Sequence, residues 1–130
     1  MKLLLDTQVA IWALNDPRRL GDRAAQLIAD ERNDIYASAV SVWEIAIKFA
    51  LAKRRGGPPF SGTVALKLCK AAGYRLLPIT PEHCAAVDDL PALHADPFDR
   101  MLVAQALHEP LRLLTADTAL YAYSDTIIQI

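Results

Sequence analysis

Asp96 and Asp99 stand three residues apart around Pro97-Phe98 in the stretch HADPFDR. An aspartate followed by proline fits a helix N-cap with proline at the first helical position, which accounts for Asp96. Asp99, one turn on, has only the weaker use of complementing the helix dipole. Three more acids sit close after short apolar runs: Asp6 after KLLL, Glu44 after IYAS, and Asp117 after LRLLT. Carboxylates brought together repel, so they converge only where protons or a cation intervene. Their hard oxygens suit Mg²⁺ or Mn²⁺. A cation so held can activate a water and neutralise a phosphoryl group, singly or as a pair. Metal-dependent phosphodiester hydrolysis is the chemistry this donor set best supports.

That chemistry requires four distant residues to meet, so the elements between them must supply one common edge. Residues 2–5, 35–38, 76–79, 111–115 and 126–130 read as short strands. Between them lie helical stretches at 7–14, 22–33, 41–54, 61–72, 82–90 and 96–109, with a turn or short helix at 116–121. Thr7 reads as the cap of the first helix, and Ser41 opens the long one. Gly56-Gly57-Pro58-Pro59 is the clearest loop, and Gly73 is a plausible helix stop. Strands that are continuous apolar runs, alternating with helices, imply a mainly parallel five-stranded sheet covered on both faces. Ligand sites in such sheets gather beyond the carboxyl ends of the strands. Asp6, Glu44, Asp99 and Asp117 all fall there.

Each acid also has a purely structural use. Asp6 can cap the first helix. Ser41-Val-Trp-Glu44 fits a capping box. Asp117 can be a turn aspartate or a short helix's cap. Taken singly these uses compete evenly with chemistry; the joint placement of all four favours a site. His94 reads as a loop histidine rather than a ligand, and Phe98 and Leu102 as core-facing.

The bulk composition narrows the classes. The chain has 130 residues, 53% of them hydrophobic and 22% charged, which suits one globular domain over 1–130. Net charge is −1, so no global basic footprint points to nucleic acid; a polyanion would need a local patch or a metal. Cys69 and Cys84 form no CxxC pair and read as buried free thiols of a reducing compartment. No run approaches the ~20 apolar residues of a membrane span, and MKLLLDTQ is too short in apolar residues for a signal peptide. A cytoplasmic protein without membrane contact is the reading. There is no GxxxxGK[ST], no GxGxxG and no GxSxG.

The motifs LLLDT, SAVSVWEIAIK, HADPFDRMLVAQA and LLTADTAL, in this order and spacing, resemble a PIN domain over essentially the whole chain. The likeness is to the VapC-type ribonuclease toxins of bacterial type II toxin–antitoxin systems, in the subgroup with an H-x-D-P-F-D-R context. The resemblance implies a Mg²⁺- or Mn²⁺-dependent endoribonuclease acting on tRNA, rRNA or mRNA. It places Asp6, Glu44, Asp99 and Asp117 as the catalytic, metal-holding acids. It also implies a homodimer and a cognate antitoxin that blocks the site. Thr7, Thr115 and Asp96 are supporting candidates, for orienting carboxylates or reaching a water.

Val42, Ile45, Ala46 and Phe49 make the expected core stripe of the long helix. Trp43, Ile47, Ala50 and Leu51 add apolar surface suited to a partner or to full burial. Lys48, Lys53, Arg54 and Arg55 form the candidate RNA-backbone patch, with Arg100 as a further contact to phosphate or to an acid. A receiver-type domain would want an acidic pair after strand one and a lysine after strand five. A dehalogenase-type phosphatase would want D-x-D-x-T where this chain has Asp6-Thr7-Gln8. A non-catalytic PIN-like binding module and a DNA nuclease complete the alternatives.

Overall fold

The computed structural model describes residues 1–52 and 56–130. Among them, β1 (Lys2–Leu5), β2 (Asp34–Ser38), β3 (Arg75–Leu77), β4 (Arg112–Thr115) and β5 (Ile128–Gln129) form a parallel sheet in the order β3-β2-β1-β4-β5. The first strand of the chain is therefore the central one. Leu5 pairs with Ala37 of β2 on one side and Leu114 of β4 on the other. The helices are α1 (Thr7–Asn15), α2 (Gly21–Ala29), α3 (Ala39–Ala52), α4 (Gly62–Ala71), α5 (Pro81–Ala86), α6 (Pro97–His108) and α7 (Thr118–Tyr121).

Side chains alternate across the central strands, and both faces are covered. Leu4 and Leu113 pack with Val40, Leu102, Val103 and Leu120 from α3, α6 and α7. Leu3, Leu5 and Leu114 pack on the opposite face with Val9, Ala10 and Ala24 from α1 and α2. Burial on both sides is why β1 and β4 read as unbroken apolar runs. No helix among the described residues is long and apolar enough to cross a membrane.

Several boundaries differ from the sequence expectation for physical reasons. Asp6, not Thr7, caps α1, accepting the Val9 N–H at 2.8 Å. α2 ends at Ala29 rather than near residue 33, because Asp30 takes both the Arg32 backbone N–H and its guanidinium. That local turn competes with helix continuation. α3 starts at Ala39, two residues before Ser41, with Ser38 Oγ accepting the Val40 N–H at 3.0 Å.

The face that α3 buries is also rotated. Val40, Ser41, Glu44 and Ile45 are buried, whereas Ala46 and Phe49 of the expected stripe are exposed. Gly62 at the start of α4 lets α3 and α4 close up; a Cβ there would lie 2.7 Å from Ala46 Cβ. Cys69 is buried as expected, but Cys84 is exposed, and both are free.

Candidate active site

β1 ends at Leu5, so Asp6 leaves the central strand at the sheet's carboxyl edge. Its side chain is almost fully buried. One oxygen caps α1; the other accepts the hydroxyl of Thr115, the last residue of neighbouring β4. Burial pushes its carboxyl up to about 6, against the lowering effect of the Thr115 and Val9 hydrogen bonds, with Glu44 and Asp117 adding repulsion. The Thr115 oxygen also accepts the Asp117 N–H at 3.0 Å. One hydroxyl thus bonds both the Asp6 carboxylate and the Asp117 backbone. The Thr7 hydroxyl instead donates to Ser41 Oγ at 2.9 Å, bracing α1 on α3.

Glu44 enters from α3. Because the helix starts at Ala39, Ser41 lies inside it and Ser38 does the capping, so the Ser41–Glu44 capping box expected as the structural alternative is not the helix start. Glu44 is instead on the buried face. Its Oε2 takes a short hydrogen bond of 2.5 Å from Lys48 Nζ, one turn on. Its Oε1 is buried and, among the described residues, has no partner. The Glu44 bond holds the Lys48 ammonium above its ordinary pKa.

α6 supplies Asp99. Asp96 is the N-cap, accepting the Phe98 N–H at 2.8 Å and the Asp99 N–H at 3.2 Å, with Pro97 following. Asp99 is pushed up to about 7 by burial first, then by repulsion from Asp96, Glu44 and Asp6, and is partly relieved by His94. Asp117 caps the four-residue α7 through the Ala119 N–H and is the most exposed of the four acids. His94, expected as a loop residue, lies among them: its Nε2 is 3.2 Å from Asp117 Oδ2 and 3.5 Å from Asp99 Oδ2. Only its place two residues before the cap hinted at this.

The four acids line one open cleft of about 940 Å³, with Asp96, Lys48 and Thr7 on its walls. It runs out past Trp12 and past Gln8 and Arg19, the last two not singled out by sequence reasoning. Arg19 sits over the Trp12 ring, 5.5 Å from its centroid. Arg100, expected at phosphate or an acid, is engaged elsewhere. It donates to the Pro91 carbonyl at 2.9 Å and to the Tyr123 hydroxyl at 3.2 Å. Lys53, Arg54 and Arg55 lie outside the described residues.

The donor set fits a hard divalent cation. Asp6 and Asp99 are raised by burial and by repulsion from neighbouring carboxylates, and Glu44 Oε1 is a buried acceptor with no donor among the described residues. Unpaired buried carboxylate oxygens are costly until a proton or cation meets them. Lys48 answers only one of these oxygens.

Away from the cleft, Trp43 and Phe49 are 56% and 43% exposed on α3, while Leu51, 80% exposed, lines the cleft itself. Trp43, Val42 and Ala46 border an apolar hollow completed by Leu66, Leu76 and Pro78. Such contiguous exposure marks interaction surfaces.

The chain matches the PIN domain family over residues 3–125. It is 31% identical to Ribonuclease VapC22 of Mycobacterium tuberculosis over 129 residues, covering 93% of this chain and 91% of the relative. Its fold is similar to that in the crystal structure of VapBC2 from Rickettsia felis bound to a promoter DNA fragment. That likeness has a TM-score of 0.68 and 15% identity, covering 100% of this chain and 98% of the other. FitAcB from Neisseria gonorrhoeae is similar at a TM-score of 0.64 and 21% identity, covering 98% and 96%.

Proposed function

The chain belongs to the PIN domain family, in its VapC branch, and from that premise we propose that it is a Mg²⁺- or Mn²⁺-dependent endoribonuclease, the toxin of a type II toxin–antitoxin pair. The observation that carries this reading is the meeting of Asp6, Glu44, Asp99 and Asp117, from four separate elements, in one cleft with a buried Glu44 oxygen that has no partner among the described residues. A divalent cation held there would supply Lewis acidity, to lower the pKa of a bound water and neutralise phosphoryl charge.

The chain's own residues do the rest. Asp6, Glu44, Asp99 and Asp117 would hold the cation. Thr115 fixes the Asp6 carboxylate, and Asp96 fixes the start of α6 and hence Asp99. Lys48 keeps a positive charge at the cleft wall, where an RNA phosphate would enter. Arg19 and Trp12 extend the same wall and suit a single strand, by charge and by stacking. The exposed apolar face of α3 suits a protein partner, either a second copy or the cognate antitoxin.

The test is cleavage of total RNA by the purified, antitoxin-free protein. It should require Mg²⁺ or Mn²⁺, stop in EDTA, and be abolished in Asp6→Ala and Asp99→Ala. Alanine variants that cut as fast as the parent would refute the four-carboxylate reading.

A further inference from the structure

His94 carries an inference that rests on the four-carboxylate reading and goes past it. Its side chain is only 20% exposed, and both ring nitrogens are committed. Nδ1 lies 3.0 Å from the Asp96 backbone nitrogen. A backbone amide only donates, so Nδ1 is the acceptor and the ring hydrogen sits on Nε2. That N–H faces Asp117 Oδ2 at 3.2 Å and Asp99 Oδ2 at 3.5 Å. His94 Nε2, Asp99 and Asp117 lie close enough to share an ion, with their ligand atoms within 4.8 Å of one another. Yet a ring nitrogen bearing hydrogen has no lone pair to give a metal. The tautomer removes His94 from the ligand set and makes it a donor to Asp117, with Asp99 alongside.

We propose that His94 is a positioning residue: its Nε2–H clamps Asp117 against Asp99 and so completes the carboxylate set. Asp117 needs such help. It stands on a four-residue helix, its side chain is 42% exposed, and the other carboxylate oxygen is occupied by the local Ala119 N–H. Asp6 repels it. Without the His94 donor, solvation and repulsion both favour swinging Oδ2 out to water. Partners of this kind, outside the ligand set, typically affect metal affinity by 10–100-fold. The arrangement also links the helix cap to the fourth acid. The Asp96 carboxylate fixes Asp99, and the Asp96 N–H fixes the ring that holds Asp117.

Two substitutions separate the ring's ends. Asn at 94 can keep the Nδ1-like acceptor for Asp96 but stops short of Asp117. Gln can place an amide nitrogen where Nε2 lies. Mn²⁺ binding to the antitoxin-free protein, measured by titration calorimetry with the metal alone, is the readout. Thermal unfolding in EDTA serves as the folding control. His94→Asn should weaken Mn²⁺ binding about 10-fold or more, while His94→Gln stays within a few-fold of the parent. Both should unfold near the parental temperature in EDTA. In an Asp117→Asn background, His94→Asn should add little further loss, because the clamp acts through Asp117.

Parental Mn²⁺ affinity in His94→Asn overturns the clamp, as do equal losses in Asn and Gln or fully additive losses in the double variant. If Asp99→Asn also binds Mn²⁺ like the parent, the four-carboxylate reading itself has failed. If Asp99→Asn loses binding while His94→Asn keeps it, only the clamp has.

Discussion

The Asp96 carboxylate accepts the Asp99 backbone N–H at 3.2 Å, while the Asp99 side chain turns into the cleft beside Glu44 and Asp6. Two aspartates one turn apart therefore stand in different relations to the site. Asp96→Ala should cost about 1 kcal/mol of stability through loss of the cap, with cleavage retained by the folded fraction. Asp99→Asn should abolish cleavage. In EDTA at pH 8 it should also unfold at higher denaturant than the parent, because it removes a buried charge that three neighbours repel. Urea unfolding beside RNA cleavage checks both. Equal stability loss with equal residual activity in the two variants contradicts the division.

Metal-free stability should fall as pH rises through neutrality. Asp6 is raised from 3.8 to about 6 and Asp99 from 3.8 to about 7. Between those values the folded chain holds protons that the unfolded chain releases. The associated stability is fully present below about pH 4 and is lost as pH climbs through 6–7. For Asp6 alone the loss is on the order of 2–3 kcal/mol. Melting in EDTA at pH 5 and pH 8 tests this, with higher stability at pH 5. Added Mg²⁺ or Mn²⁺ should restore stability at pH 8 and have less effect at pH 5, where protons occupy Asp6 and Asp99.

Thr115→Val removes a buried donor to Asp6 and the acceptor of the Asp117 N–H while keeping the shape. Leaving those groups unpaired should cost about 1–3 kcal/mol. Cleavage should drop as well, since both acids lose a restraint. Thr115→Ser, which keeps the hydroxyl, should recover most of each. Denaturant melts and cleavage rates for the pair check it; a valine variant equal to serine in both would refute the restraint.

Gly62→Ala tests the α3–α4 contact and, indirectly, the placement of Glu44. The new Cβ would lie 2.7 Å from Ala46 Cβ and 3.2 Å from the Val42 carbonyl oxygen. Overpacking of this kind costs about 1–3 kcal/mol. Melting temperature should fall, and Ala46→Gly in the same chain should recover part of it, by making room at the cost of helix propensity. A double variant melting below Gly62→Ala alone by the full cost of a helix glycine would mean that the two sites do not touch.

Much of the site was legible because its acids follow unbroken apolar strands or a proline-marked helix start. LLLD and LLTAD mark strand ends directly, and Asp96-Pro97 marks where α6 begins. The rotation of α3 was not legible. Apolar residues nearly encircle that helix, so periodicity offers little contrast, and the buried face includes Glu44, which composition reads as outward. His94 was missed for a related reason: its position is set by Asp96 N–H and by two acids from distant elements, none of them visible as a pattern in a loop. Arg100 was misplaced because adjacency to Asp99 says nothing of direction; the next residue on a helix points about 100° away, here toward Pro91 and Tyr123.

The central position of β1 has a consequence for timing. Leu5 completes its pairing only with Leu114, and the Thr115 hydroxyl that fixes Asp6 is 109 residues downstream. Contacts of such sequence separation form late, after most of the chain is available. A chain emerging from the ribosome displays Asp6 and Glu44 well before β4 exists, and Asp99 shortly before it, yet the middle of its sheet is still one strand short. The growing polypeptide carries three of the four acids without the cleft, whose lining is complete only once Asp117 has been added.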